Sequence, residues 1–154
     1  MRLAWLLVIA GCAASSVGAR RSNGPEVWPS DRAAIQGVLD GQAAAWNRGD
    51  LAGYMAGYAK IDDLVFTSGA KVRTGWQTTF DHFQKRYGQD LKAMGKLVFE
   101  VTRIDAVGAD GAVALGTWIL TESPADGRGV FSVVLERRPE GWRIVHDHTS
   151  SASE

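Results

Sequence analysis

The chain has 154 residues, an apolar fraction of 45%, and 17 basic residues balanced by 17 acidic ones. This length supports one domain with a sizeable core. The zero net charge, with no block of like charge, argues against nucleic acid or an anionic membrane surface as the main partner.

The first 28 residues are predicted to be a targeting segment followed by a flexible tether. Arg2 precedes a short apolar run, Leu3–Ala10, which is too short to span a membrane as a mature helix. The run leads into Ile9-Ala10-Gly11-Cys12, which resembles a bacterial lipobox, and Cys12 is the only cysteine of the chain. We expect export, with acyl chains on Cys12 as a membrane anchor.

A second processing site leaves an alternative open. Val17-Gly18-Ala19 fits a small-x-small cleavage pattern that would release a soluble secreted protein. In the anchored form, the Ser-, Gly-, Arg- and Pro-rich residues 13–28 would be the tether.

Three helices are predicted at the start of the domain, which we place at residues 29–150, with 151–154 as a tail. The first begins at Pro29-Ser30-Asp31, with Ser30 or Asp31 as N-cap, and ends at Asn47-Arg48-Gly49. Asp50 caps a short second helix. The third begins at Thr74 or Gly75 and carries Trp76, Phe80, Phe83 and Tyr87 on one face.

Strands make up the rest of the domain. A hairpin, Leu64–Ser68 and Lys71–Thr74, precedes the third helix, and alternating patterns then predict four long strands in an antiparallel meander. Gly127-Arg128-Gly129 is predicted to be a turn. Helices first and sheet last indicate an α+β domain with the helices on one face of a curved sheet. The long strands are predicted at Leu97–Ile104, Ala112–Thr121, Val130–Arg138 and Gly141–Thr149.

The final strand carries two of the three histidines. Simple alternation places His146 and His148 on the same face as Trp142 and Ile144, so we predict one wall of a pocket. An imidazole suits proton transfer near neutral pH, which makes His146 and His148 candidate catalytic residues.

Two other interpretations of the histidine pair stay open. The pair could ligate a metal if Asp62, Asp63 or His82 supplied a third ligand, although we predict no metal or other cofactor. It could also satisfy hydrogen bonds at the pocket floor or at a dimer interface.

Large aromatic side chains are candidates for lining the pocket, and we expect two or three of them to contact a ligand. Trp118 is the strongest, because Ala114 and Gly116 on its strand face are small. Arg73 and Arg128 could pair with an anionic ligand group, although surface placement is favoured. The candidate ligand-binding residues are Trp46, Tyr54, Tyr58, Phe66, Trp76 and Trp118.

The order of elements, with four local motifs, resembles the nuclear transport factor 2-like (NTF2-like) superfamily. The closest resemblance within it is to SnoaL-like and DUF4440-type small proteins. It implies a cone-shaped fold, in which three helices and a strongly curved, mostly antiparallel sheet enclose a cavity, commonly in a homodimer. The motifs are Ala45–Leu51, Asp63–Phe66, Gly75-Trp76 and Trp142–Ser150.

This superfamily includes isomerases, cyclases, dehydratases and assembly domains, so the resemblance does not imply one activity. The isomerase pattern asks for a tyrosine network and two pocket carboxylates. The sequence does not match this pattern residue by residue, and Asp147 alternates away from His146. The carboxylates of the late strands are expected near strand ends or on the face opposite the larger apolar side chains. They are Glu100, Asp105, Glu122 and Glu136.

We therefore expect an exported periplasmic or membrane-anchored domain that binds a small, largely apolar molecule, as a homodimer. The first alternative is an enzyme of isomerase, cyclase or hydrolase type that uses His146 or His148 as acid or base. The second is an assembly domain with a vestigial cavity.

Overall fold

The computed structural model of the protein describes residues 27–88 and 90–152. The predicted targeting segment with Cys12, and nearly all of the tether, lie outside the described residues. Val27 packs against the core, so the domain begins slightly before residue 29. Among the described residues, no helix has the length and apolar character required to cross a bilayer.

The three predicted helices are present as α1 (Pro29–Asn47), α2 (Leu51–Met55) and α3 (Trp76–Tyr87). A short 3₁₀ helix, Leu91–Met94, follows α3 and was not predicted. The predicted N-cap of α1 is wrong. Trp28 occupies the N-cap position without a side-chain cap, and Asp31, inside the first turn, pairs with Arg137 at 2.6 Å.

Six strands form one sheet in the order β2-β1-β6-β5-β4-β3. All neighbours are antiparallel except β1 and β6, and the helices pack on one face, which confirms the α+β prediction. Gly127-Arg128-Gly129 is not a turn but the start of β5. The strands are β1 (Val65–Ser68), β2 (Lys71–Thr74), β3 (Lys96–Val107), β4 (Gly111–Thr121), β5 (Gly127–Arg138) and β6 (Gly141–Ser151).

The end of α1 is fastened to the sheet by two consecutive side chains. The Trp46 indole donates to the Met94 carbonyl at 2.7 Å. The Asn47 amide accepts from the Leu97 N–H at 2.6 Å and donates to the Leu97 carbonyl at 2.9 Å. Gly49, at a φ of 77°, then turns the chain, and Asp50 caps α2 by accepting from the Gly53 N–H. These contacts give the Trp-Asn-x-Gly-Asp run its structural role.

A β-bulge in β6 changes which side chains face the helices. Val134 of β5 is opposite His146, but the next residue, Leu135, is opposite Ile144, so Val145 has no partner. One extra residue shifts the alternation by one position. Ile144 before the bulge and Asp147 after it are therefore both buried on the inner face.

Candidate functional site

A cavity of about 500 Å³ lies between the helices and the inner face of the sheet. That volume is in the range of sites for small organic molecules. Its walls are mostly aromatic and aliphatic, and they include five of the six aromatic residues predicted to line a pocket. These five are Trp46, Tyr54, Tyr58, Phe66 and Trp118.

Trp76 is the exception. Its indole donates to the Met55 carbonyl at 3.0 Å, and its ring stacks on Phe80 with 5.2 Å between centroids. Neither Trp76 nor Phe80 lines the cavity. The prediction of a pocket position for Trp76 is wrong, because its side of α3 packs against the end of α2.

Two glycines on the sheet make room for the aromatic wall. A Cβ on Gly116 would collide with the Phe131 ring, and a Cβ on Gly129 would collide with the Ser150 carbonyl and the Trp118 indole. In this position the Trp118 indole donates to the Ser150 carbonyl at 3.2 Å. The small residues beside Trp118 therefore allow close packing of the aromatic wall.

The cavity wall contains a buried hydrogen-bonded chain of two phenols and one carboxyl. The Tyr58 hydroxyl donates to Oδ2 of Asp147 at 2.7 Å, and the Tyr54 and Tyr58 hydroxyls are 3.3 Å apart. Since Tyr58 has one proton and donates it to Asp147, Tyr54 must be the donor to Tyr58. The order of donation is thus Tyr54 to Tyr58 to Asp147.

Burial is the main influence on the pKa of Asp147. Desolvation raises the pKa of Asp147 to about 7, and the hydrogen bond from Tyr58 only partly opposes this. Its other oxygen, Oδ1, is buried and has no hydrogen-bond partner among the described residues. With Oδ2 accepting from Tyr58, the proton of the neutral acid resides on Oδ1. Asp147 can thus donate a proton when neutral and accept one when ionised.

The two phenols stay protonated beside this acid. Burial raises the pKa of Tyr58 well above its ordinary value, and the nearby charge of Asp147 raises it further. The pKa of Tyr54 is raised by the same two causes. The phenols therefore act as hydrogen-bond donors that hold Asp147 and do not titrate near neutral pH.

Basic side chains surround the other end of the cavity. Lys71 and Arg73 come from β2, and His82 and Arg86 come from α3. Burial and the positive charges of Arg73, Arg86 and other nearby basic groups lower the pKa of His82. The cavity thus combines an acidic polar group, an aromatic body and a cationic end.

His146 and His148 do not reach this cavity. The bulge turns both to the outer face of the sheet, where His146 lies opposite Val65 and Val134 and His148 is exposed. Their predicted pocket position is wrong. Asp147, which was expected to face away, is the residue of β6 that enters the cavity with Thr149 and Ser151.

The metal site that Asp62, Asp63 or His82 would complete with the histidine pair is also not formed. Asp62 and Asp63 are exposed in the turn before β1, and His82 is at the cavity end of α3. Within residues 27–88 and 90–152, no group of three His, Cys, Asp or Glu side chains is placed to hold a metal ion.

Asp147 is the cavity residue that strict alternation along β6 placed on the wrong face. The run Ile144-Val145-His146-Asp147 has two apolar residues followed by two polar ones, which interrupts strict alternation. Such an interruption is typical of a bulge, and bulges are frequent next to active sites. The sequence thus carries a signal for the bulge, whereas strict alternation predicts an unbroken strand.

Residues 35–154 match the model of the SnoaL-like domain family. The fold is similar to an NTF2-like protein of unknown function from Shewanella oneidensis, with a TM-score of 0.74 and 35% identity over 77% of this chain and 98% of that chain. A domain with a cystatin-like fold from Nostoc punctiforme has a TM-score of 0.68 and 21% identity over 83% and 81% of the chains.

A ketosteroid isomerase-like protein from Erwinia carotovora is a more distant neighbour. It has a TM-score of 0.63 and 16% identity, over 82% of this chain and 100% of that chain. At this identity the likeness concerns the fold alone. A comparison with curated protein sequences gave no match.

Proposed function

The chain belongs to the SnoaL-like domain family within the NTF2-like superfamily, and on that premise we propose that its cavity binds a small, largely apolar molecule. The cavity itself carries this proposal. It has the volume of a small-molecule site, an aromatic wall, and a carboxyl group with one oxygen that no described residue hydrogen-bonds. Asp147 would bind an oxygen of the ligand, while the aromatic wall would bury its apolar body.

Calorimetric titration with 2-naphthol, a rigid aromatic probe with one hydroxyl, tests this function. We expect saturable binding with one site per chain. Ala125→Trp places a large ring at the cavity wall and should weaken binding at least tenfold. Ala109→Trp makes the same change in an exposed turn outside the cavity and serves as the matched control. No binding by the wild type, or equal binding by both variants, would contradict the proposal.

A second candidate function is proton transfer by Asp147. It is favoured by a pKa of about 7, which lets one carboxyl both donate and accept a proton near neutral pH. Asp147 is the only carboxylate among the described residues that line the cavity. The two-carboxylate arrangement of the isomerase pattern therefore has no support here, and the reaction would use a single acid–base group.

Deuterium exchange into 2-tetralone, followed by NMR in D₂O, tests this candidate. A carboxylate base beside the ketone should speed exchange of the protons next to its carbonyl, and the rate should increase up to about pH 7 and then level off. Asp147→Asn should abolish the acceleration, whereas Asp63→Asn, an exposed carboxyl outside the cavity, should retain it. Exchange at the buffer rate in the wild type would leave binding as the function.

We also propose export and lipid anchoring through Cys12, which the lipobox-like run supports. Metabolic labelling with radioactive palmitate tests this proposal, with Cys12→Ala as the control. Label on the wild type alone is expected. Absence of label on both proteins would indicate that cleavage follows Ala19 or that no lipid is attached.

Homodimerisation is proposed through the outer face of the sheet. Three apolar side chains on neighbouring strands are exposed there, and alternation places them opposite the cavity face. They are Val98, Leu115 and Val130. A second copy of the same face would bury them.

A further inference from the structure

One row of side chains joins the cationic end of the cavity to its acidic end. Phe66 of β1 is opposite Arg73 of β2 on one side and Asp147 of β6 on the other. All three line the cavity. Since neighbouring strands are about 4.8 Å apart, the backbones at Arg73 and Asp147 are separated by roughly 10 Å. The aromatic ring of Phe66 lies between them.

Arg73 is held in this row without an anionic partner. Its guanidinium carbon lies 6.0 Å from the centre of the Phe66 ring, and its Nη1 atom is buried with no hydrogen-bond partner among the described residues. None of the ion pairs between described residues includes Arg73 or Lys71. A buried N–H group of a cation without a partner is costly, and an anion would remove that cost.

Asp147 does not supply that anion. The influences that set its pKa are burial and the Tyr58 hydrogen bond, and a charge on Arg73 is not among them. The surroundings of Arg73 are instead basic, with Lys71 on the same strand and Arg86 across the cavity on α3. The cationic end is therefore uncompensated by the described cavity wall.

We propose that the molecule bound in the cavity is an organic acid whose carboxylate pairs with Arg73 and whose other oxygen meets Asp147. This inference rests on the proposed binding function and adds the chemical class of the ligand. A planar guanidinium matches a carboxylate in a two-point hydrogen bond. The ligand must also be long enough to reach both Arg73 and Asp147. An aromatic or alicyclic body lying over the Phe66 ring would connect its two polar ends.

A pair of matched probes tests the charge at the Arg73 end. 6-Hydroxy-2-naphthoic acid carries a hydroxyl and a carboxylate at opposite ends of a rigid ring system, and 6-hydroxy-2-naphthamide is its neutral analogue. In calorimetric titrations the wild type should bind the acid at least tenfold more tightly than the amide. Arg73→Gln should reduce this ratio to about one.

Arg128→Gln is the matched control, because Arg128 is exposed at the start of β5 and outside the cavity. This variant should keep the wild-type preference for the acid. Equal affinities of the wild type for acid and amide would overturn the inference, whether or not Arg73→Gln folds. If 2-naphthol, acid and amide all fail to bind, the binding function itself is wrong. Binding of 2-naphthol without a preference for the acid contradicts only the ligand class.

Discussion

The Tyr58 hydroxyl donates a 2.7 Å hydrogen bond to Asp147, a residue 89 positions later in the chain. Tyr58 follows α2, and Asp147 follows the bulge of β6, so the bond connects the helical layer to the last strand. Because both side chains are buried and Oδ1 of Asp147 has no described partner, the polar end of the cavity is fixed on one side and open to a ligand on the other.

Asp147→Asn should stabilise the protein at neutral and alkaline pH. The folded-state pKa of Asp147 is about 7, above the ordinary value of 3.8. Below pH 4 the Asp147 carboxyl is protonated in both the folded and the unfolded protein, so it does not lower the free energy of unfolding. Between pH 4 and 7 the unfolded state releases the proton first, so stability falls as pH rises, and the loss is complete above pH 7. A shift of this size corresponds to at most about 4 kcal/mol.

Urea unfolding of the wild type and Asp147→Asn at several pH values measures this effect. The advantage of the variant should increase from pH 4 to 7 and then remain constant. The exposed control Asp63→Asn should follow the wild type. An advantage that is absent at pH 8 would show that Asp147 titrates normally.

Tyr58→Phe should raise the pKa of Asp147 above 7. The hydrogen bond from Tyr58 is the influence that lowers this pKa, and the variant leaves the carboxyl with burial alone. The pH at which stability stops falling should therefore increase. Loss of the bond to a buried carboxyl should also cost about 1–3 kcal/mol. Tyr54→Phe preserves the Tyr58–Asp147 bond and should move the transition less; an equal shift in both variants would contradict the assigned order of donation.

Asn47→Ala should destabilise the fold by about 1–3 kcal/mol, since it leaves a backbone N–H and a carbonyl of Leu97 without their partner. Gln36→Ala removes a hydrogen bond to Asp40 that is exposed and should change stability by no more than about 0.5 kcal/mol. Chemical unfolding compares the two variants. Equal effects would mean that the contact between α1 and β3 does not support the fold.

Val130→Glu should dissociate the proposed homodimer, because it introduces a charge into the apolar outer face of the sheet. Light scattering coupled to size-exclusion chromatography gives the molar mass. Ala52→Glu adds the same side chain to the exposed surface of α2 and should leave the dimer intact. A monomeric wild type would refute the dimer.

The sequence predicted the order of helices and strands well, because apolar residues recur at regular helical or alternating spacing along them. The end of α1 at Gly49 and the cap of α2 by Asp50 depend on local rules that act within a few residues. The face of each residue in β6 depended instead on its pairing with β5. One unpaired residue, Val145, exchanged the positions expected for His146 and Asp147.

The cavity was partly predictable for a related reason. Tyr54 and Tyr58 were predicted to line a pocket, and both are buried in the cavity wall. Their hydrogen-bonded order also depends on Asp147, whose inward direction is set by the pairing of β6 with β5. Arg73 was placed at the surface because cations usually are, yet the hairpin of β1 and β2 puts it in the cavity wall.

A crystal structure of the protein with 2-naphthol tests directly whether the cavity binds a small aromatic molecule through Asp147. Electron density for the naphthalene ring is expected in the cavity, against Phe131 and Trp118, with its hydroxyl oxygen at hydrogen-bond distance from the Asp147 carboxyl. A probe bound only outside the cavity, or bound inside with its hydroxyl directed away from Asp147, would contradict this binding mode.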